Sequence, residues 1–292
     1  MKLNRRSFVR QIATSAPALT VAISLGNGAH AQQATPQGPP PGRGQMDGSP
    51  VGSQLPGQQW KVHDRDRPQP RKVVPGQPIP TPSAPSDALV LFDGKDLAQW
   101  NGGGRGGAVS EPRWKVADGY VEMTPGGGSL VTKECFGDIQ LHIEWTTPPV
   151  TDTTRVGQFR GNSGIGFMGR YELQILSSHD NPTYADGGAG SIYGAYPPMV
   201  NPCLPEGEWN AFDVVFEAPK FEGEQLVKPA FLTLFFNGVM VHNRVELLGA
   251  TARLPIATYS PHAAELPLQL QAHVGPVRYR NIWVRRLKGY DA

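Results

Sequence analysis

From residue 87 onward, short runs of alternating apolar and polar residues recur between turn residues. No stretch there keeps a 3.6-residue apolar period over three turns, so the pattern predicts strands. Trp114-Lys115-Val116 leads through Asp118-Gly119 into Tyr120-Val121-Glu122-Met123. Leu232-Thr233-Leu234-Phe235-Phe236 leads through Asn237-Gly238 into Val239-Met240-Val241-His242. Asp-Gly and Asn-Gly supply the positive φ values of a type I′ turn, so both pairs read as hairpins. Further strands are predicted over 139–145, 164–168, 171–176, 212–217, 268–274 and 278–286. About ten strands with no repeat of fixed period favour an all-β, two-sheet antiparallel β-sandwich or jelly roll over a propeller.

Three of these strands carry candidate chemistry on their polar positions. Alternation sends Ile139, Leu141, Ile143 and Trp145 to one face and Gln140, His142 and Glu144 to the other. In the same way Glu172 and Gln174 oppose Tyr171, Leu173 and Ile175, and Gln269, Gln271 and His273 oppose Leu268, Leu270 and Ala272. An ordinary solvated sheet face accounts for most such alternation. These polar sets hold no lysine, only carboxylates, amides and imidazoles, which suit sugar hydroxyls, and the three strands are expected to share a binding face. Five of the six tryptophans, Trp100, Trp114, Trp145, Trp209 and Trp283, lie in or beside strands and are expected in the core. Tyr193 and Tyr196, in the Gly/Pro-rich loop 187–198, are expected to form a mobile rim. The loop 102–107, with five glycines around Arg105, lacks the Gly-Lys-Ser/Thr ending of a phosphate cradle and reads as a surface loop.

The first 86 residues have a different character. Residues 1–31 join a basic start, an apolar stretch over 12–25 and a small-residue end at Ala29-His30-Ala31, the anatomy of an export signal peptide. Arg5-Arg6-Ser7-Phe8 adds a twin-arginine pattern, which implies the twin-arginine export machinery as a partner and a periplasmic or secreted destination. Removing Lys2, Arg5, Arg6 and Arg10 with the signal turns the formal charge from +2 to −2. With no run of basic residues, nucleic acid is an unfavourable partner. Residues 32–86 contain 7 Gly and 13 Pro, a linker composition, within which Trp60-Lys61-Val62-His63-Asp64 is suited to dock as an arm; His63 and Asp64 are expected in solvent. The domain then runs over 87–292. Cys135 and Cys203 are compatible with either a disulfide or two free thiols, and no Cys/His spacing points to zinc.

The blocks Leu91-Phe92-Asp93-Gly94, Asn162-Ser163-Gly164-Ile165, Tyr171-Glu172-Leu173-Gln174-Ile175-Leu176, Gly190-Ser191-Ile192-Tyr193-Gly194, Gly207-Glu208-Trp209-Asn210, Asn237-Gly238 and Gln271-Ala272-His273-Val274-Gly275-Pro276 through Trp283 resemble, in order, the 3-keto-disaccharide hydrolase family. Val274 departs from the glycine more usual there. The resemblance covers about residues 88–288 and implies a concanavalin A-like jelly roll acting on glycosides oxidised to a ketone at C3. Such a ketone acidifies the C2 proton, so a base can remove it and the aglycone can leave from C1 by β-elimination, with hydration following. The candidates are Glu144, Glu172 and His273 for catalysis, with His273 or Glu144 as base and Glu172 as acid/base partner or sugar anchor. Asn162, Gln174, Gln271, Tyr193 and His142 are the candidate substrate ligands. A retaining glucanase mechanism needs a second carboxylate close by, and Glu172 is followed on its own face by Gln174 and Leu176. A divalent metal ion is a candidate cofactor if His142, Glu144 and His273 converge. The alternative is a non-catalytic, lectin-like carbohydrate-binding module of the same fold.

Overall fold

The computed structural model describes residues 51–76, 82–104, 107–149 and 154–289; the segment 1–31 and Arg105 lie outside them. Two antiparallel sheets form a sandwich, as the alternation predicts. The six-stranded sheet runs in the order Tyr171–Ile175, Ser163–Phe167, Leu266–Leu270, Ser129–Phe136, Trp100–Gly103, Val109–Ser110. The eight-stranded sheet runs Val239–Glu246, Phe231–Phe236, Asn210–Glu217, Ile139–Thr146, Arg278–Arg286, Tyr120–Glu122, Lys115–Ala117, with Leu89–Phe92 also paired to Arg278–Arg286. Both hairpin turns take the backbone their sequences demand: Asp118 and Gly119 have φ +50° and +77°, and Asn237 and Gly238 have +50° and +76°. Among the described residues, no helix is long and apolar enough to cross a membrane.

The two sheets meet through aromatic side chains. Phe167 of the six-stranded sheet stacks on Phe216 of the eight-stranded one at 4.8 Å, and Tyr171 of the six-stranded sheet meets the same Phe216 at 5.8 Å. Each such fully buried side chain contributes about 1.5–3 kcal/mol over exposure. One polar chain crosses this apolar layer. The Tyr279 hydroxyl donates to Ser163 Oγ at 2.6 Å, and Ser163 Oγ donates to the Gln271 carbonyl at 2.6 Å. It satisfies two buried hydroxyls and ties the strand end that carries Gln271 to the opposite sheet.

The strand Leu266–Leu270 ends earlier than the sequence pattern indicates, but its line continues. Gln271 donates from its backbone to the Gly164 carbonyl, and Asn162 and Val274 exchange backbone hydrogen bonds. The positive φ in that turn belongs to Gly275, at +81°, so Val274 needs no glycine. Residues 51–76 pack on the domain: Leu55 and Val62 are buried, and Arg71–Lys72 pairs in parallel with Val200–Asn201.

Candidate active site

The expected shared face divides between the sheets. Glu172, Gln174, Gln269 and Gln271 belong to the six-stranded sheet and its continuation, whereas His142 and Glu144 belong to the eight-stranded sheet. The apolar sides of both sheets face one core, so the polar sides point to opposite surfaces of the sandwich. Alternation assigns residues to a face of their own strand; it does not say which sheet the strand joins.

On the outer side of the eight-stranded sheet, His142 and Glu144 form a buried charge network. His142 Nδ1 lies 2.7 Å from Asp213 Oδ1, and its Nε2 lies 3.5 Å from Glu144 Oε1. Glu144 accepts from Arg280 Nε at 2.6 Å and from Asn281 Nδ2 at 3.0 Å. Burial alone would lower the His142 pKa, but the Asp213 and Glu144 carboxylates outweigh it and raise the imidazole to about 9. Burial likewise works against ionised Glu144, and His142, Asn281 and Arg280 outweigh it, holding the acid at about 2. A register shift between Arg280 and Trp283 leaves Trp283 opposite His142, with the rings stacked at 5.3 Å. Trp283 is therefore buried on the outer side, over the charge network. Trp209, also expected in the core, is only partly buried and carries the Arg280 guanidinium 4.2 Å above its ring. A carboxylate this firmly ion-paired is a poor base, and the set His142, Glu144 and His273 is not assembled. Among the described residues, no three His, Cys, Asp or Glu side chains gather as a metal site.

The six-stranded sheet offers a different arrangement. Gly164 and Gly166 stand opposite Gln174 and Glu172 in the pairing of Ser163–Phe167 with Tyr171–Ile175. Without side chains, the two glycines make a floor over which longer neighbours can lean. A Cβ built on Gly164 would fall 2.7 Å from Glu172 Oε1 and 3.1 Å from Gln271 Oε1, so carboxyl and amide meet above this residue. Glu172 is partly open to solvent but surrounded by protein atoms. Burial pushes its pKa up to about 7 against the opposing hydrogen bond from Gln271.

Gln174 and Asn162, expected to contact substrate, are buried side chains. They are 1 % and 4 % exposed and belong to an amide network centred on Gln158. Asn162 Nδ2 donates to Gln158 Oε1 at 3.0 Å, the Gln174 amide lies 2.9 Å from the same Gln158 amide, and Gln158 Nε2 donates to the Gly187 carbonyl at 2.8 Å. With its amide assigned so that the nitrogen faces acceptors, Gln174 donates to the Ser163 carbonyl at 2.9 Å and to Glu172 Oε1 at 3.1 Å.

Three further groups converge here. The Tyr193 N–H donates to the Glu172 carbonyl at 3.2 Å, and the Tyr193 hydroxyl lies 2.7 Å from that of Tyr184. Burial raises the Tyr193 pKa; the Tyr184 hydrogen bond opposes this, negative Glu172 adds to it, and Arg253 opposes it. His273, exposed beyond Gln271, has its pKa lowered by burial of its ring and by Arg253. Arg253 is thus a cation at the rim, exposed and without an ion-pair partner among the described residues; nothing in the alternation of neighbouring residues marks it. The loop 187–198, expected as a mobile rim, is instead bound down. The Gln174 N–H donates to the Ser191 carbonyl, the Gly190 N–H donates to the Gln174 carbonyl, and Ile192 bridges to Leu173.

No curated protein matches the chain in sequence. Among solved structures it is similar to a candidate glycosyl hydrolase of Parabacteroides distasonis ATCC 8503, at 39% identity, covering 75% of this chain and 93% of that one, with a TM-score of 0.66. A second candidate glycosyl hydrolase of the same organism shares the fold at 16% identity, 69% and 94% coverage and a TM-score of 0.50. Residues 87–285 match, as one unit, the family described as the 3-keto-alpha-glucoside-1,2-lyase-like domain, and the chain belongs to that family.

Proposed function

We propose that the protein is an exported enzyme that cleaves 3-keto-glycosides by C2 proton abstraction and β-elimination, with Glu172 as the base. The carrying observation is a carboxyl on a glycine floor whose pKa lies near 7, where a group both accepts and returns protons at neutral pH. Glu172 takes the C2 proton, and the C–H electrons form the C1=C2 bond by way of the enolate as the C1–O bond breaks. The aglycone oxygen is then protonated, by Glu172 returning its proton or by Tyr193, and water adds to the enone in a second step. Arg253 and His273, at the rim, stabilise the charge developing on the ketone oxygen. Gln269 and Gln271 supply sugar-hydroxyl contacts, while Asn162 and Gln174 hold the floor and Glu144 and His142 stabilise the opposite sheet. Membership of a lyase-like family supports the reaction class.

Incubation with a chromogenic 3-keto-glucoside tests this reading. Wild-type protein releases the chromophore and, after water adds to the enone, the free 3-keto sugar, and Glu172→Gln abolishes release. Binding of 3-keto-glycosides without turnover would make the protein a lectin-like module instead. Export is tested separately: replacing Arg5 and Arg6 with lysines retains the chain in the cytoplasm if residues 1–31 are a twin-arginine signal.

A further inference from the structure

Residues 51–67 precede the family match and pack beside the site. Ser53 donates from its backbone to the Leu254 carbonyl at 3.4 Å, next to Arg253, and Arg67 Nη1 donates to the Ala195 carbonyl at 3.0 Å, next to Tyr193 and Gly194. His63, expected in solvent, reaches furthest inward. It is 1 % exposed; its N–H donates to Asp186 Oδ2 at 3.0 Å, and its Nδ1 is 3.4 Å from Asp186 Oδ1. The imidazole lies against the Tyr184 ring at 3.8 Å and edge-on to Tyr193 at 5.2 Å.

Two features of His63 are costly. Its φ is +57°, a left-handed conformation that residues with a Cβ hold only when their surroundings impose it. Its buried Nε2 has no hydrogen-bond partner among the described residues. A linker that merely connects two parts of the chain needs neither. Both costs fall where the segment touches Tyr184 and Tyr193, one hydroxyl contact and one backbone bond away from Glu172.

We infer that residues 51–67 complete the site from within the same chain, with His63 as a positioning residue that holds the 184–196 loop through Asp186 and the Tyr184 ring and so keeps Tyr193 beside Glu172. This rests on the reading of Glu172 as the reacting carboxyl, and its test needs no substrate. His63→Gly in the full chain keeps the left-handed backbone and the donation to Asp186 and removes only the ring. Hydrogen exchange is followed across 184–196, and Glu172 is titrated by carboxyl-carbon NMR.

The expected result is exchange in 184–196 about tenfold faster or more, with the Glu172 midpoint falling from near 7 toward the ordinary carboxylate range as water enters. Tyr184→Phe, which keeps the ring and removes the hydroxyl contact, carries the test if the glycine variant does not fold; it too must lower the Glu172 midpoint. Unchanged loop exchange in His63→Gly, or an unmoved Glu172 midpoint in either folded variant, overturns the inference. Turnover of a 3-keto-glucoside is measured alongside. A wild-type protein without turnover sinks the proposed reaction, while exchange and titration still decide the role of His63.

Discussion

Glu172 gains its reactivity from what its neighbours lack. Gly164 offers no Cβ, so the carboxyl and the Gln271 amide can meet above the strand, and among the described residues no cation pairs with the acid to hold it ionised. A base that titrates near 7 should give kcat/KM that rises with pH through that value and then levels, a limb that disappears in Glu172→Gln. Stability should move the other way. A carboxyl raised from 4.5 to about 7 binds more protons folded than unfolded between those values, so unfolding free energy falls as pH rises through the window. Glu172→Gln should therefore match wild type in melting temperature near pH 4 and exceed it near pH 8, by about 1–2 kcal/mol after allowing for partial exposure. Thermal melts at the two pH values check this. Gly164→Ala tests the floor itself. Its Cβ meets the movable ends of two side chains rather than backbone, so the fold should survive, at a cost of about 1 kcal/mol, while turnover falls at least tenfold. Circular dichroism and single-substrate kinetics separate the two effects.

At the level of strands, the division of polar faces decides which carboxylate is structural. Removing Glu144 leaves the His142 imidazolium and the Arg280 guanidinium without their shared partner in a buried setting, so Glu144→Ala should cost about 3 kcal/mol or more. Turnover per folded molecule should stay near wild type, the reverse of the Glu172→Gln pattern. The pH signature follows from both shifts. Glu144, lowered to about 2, contributes stability that is complete above its ordinary 4.5 and is lost as pH falls through 2. His142, raised to about 9, contributes stability that is complete below 6.5 and is lost as pH rises through 9. Denaturant midpoints across that range, compared with those of Glu144→Ala, expose both limbs. The strands themselves were legible wherever alternation was clean and a turn dipeptide closed it, as at Asn237-Gly238. Ser129–Phe136 was not legible, because exposed Lys133 and Glu134 interrupt its alternation where a register shift disturbs its pairing. The sheet to which Ile139–Thr146 belongs was not legible either. Strand pairing is a non-local choice that a two-residue period does not encode, and His142 and Glu144 follow the same alternation as Glu172 and Gln174.

Over the whole molecule, the fold must stand without a covalent cross-link. Cys135 lies in the six-stranded sheet and Cys203 in the stretch that follows Val200–Asn201, and both are free. Burial pushes the Cys203 thiol up to about 12, with too little thiolate at neutral pH to react, whereas Cys135 is partly exposed. Iodoacetamide should therefore modify Cys135 alone in the native protein and both residues in denaturant. The melting temperature should be the same with and without a thiol reductant. A chain stabilised in this way can fold to its final state in a reducing cytoplasm, which is what the twin-arginine route proposed for residues 1–31 requires of its cargo. Its stability rests instead on the inter-sheet aromatic layer and on the Tyr279–Ser163–Gln271 chain that crosses it. Ser163→Ala would orphan the Tyr279 hydroxyl inside that layer, at a cost of about 1–3 kcal/mol. Tyr279→Phe removes the hydroxyl itself, leaves Ser163 bonded to the Gln271 carbonyl, and should cost less. Paired denaturation curves that rank the two variants in that order would place the cross-sheet contact, and not a disulfide, among the restraints that hold the site strand in register.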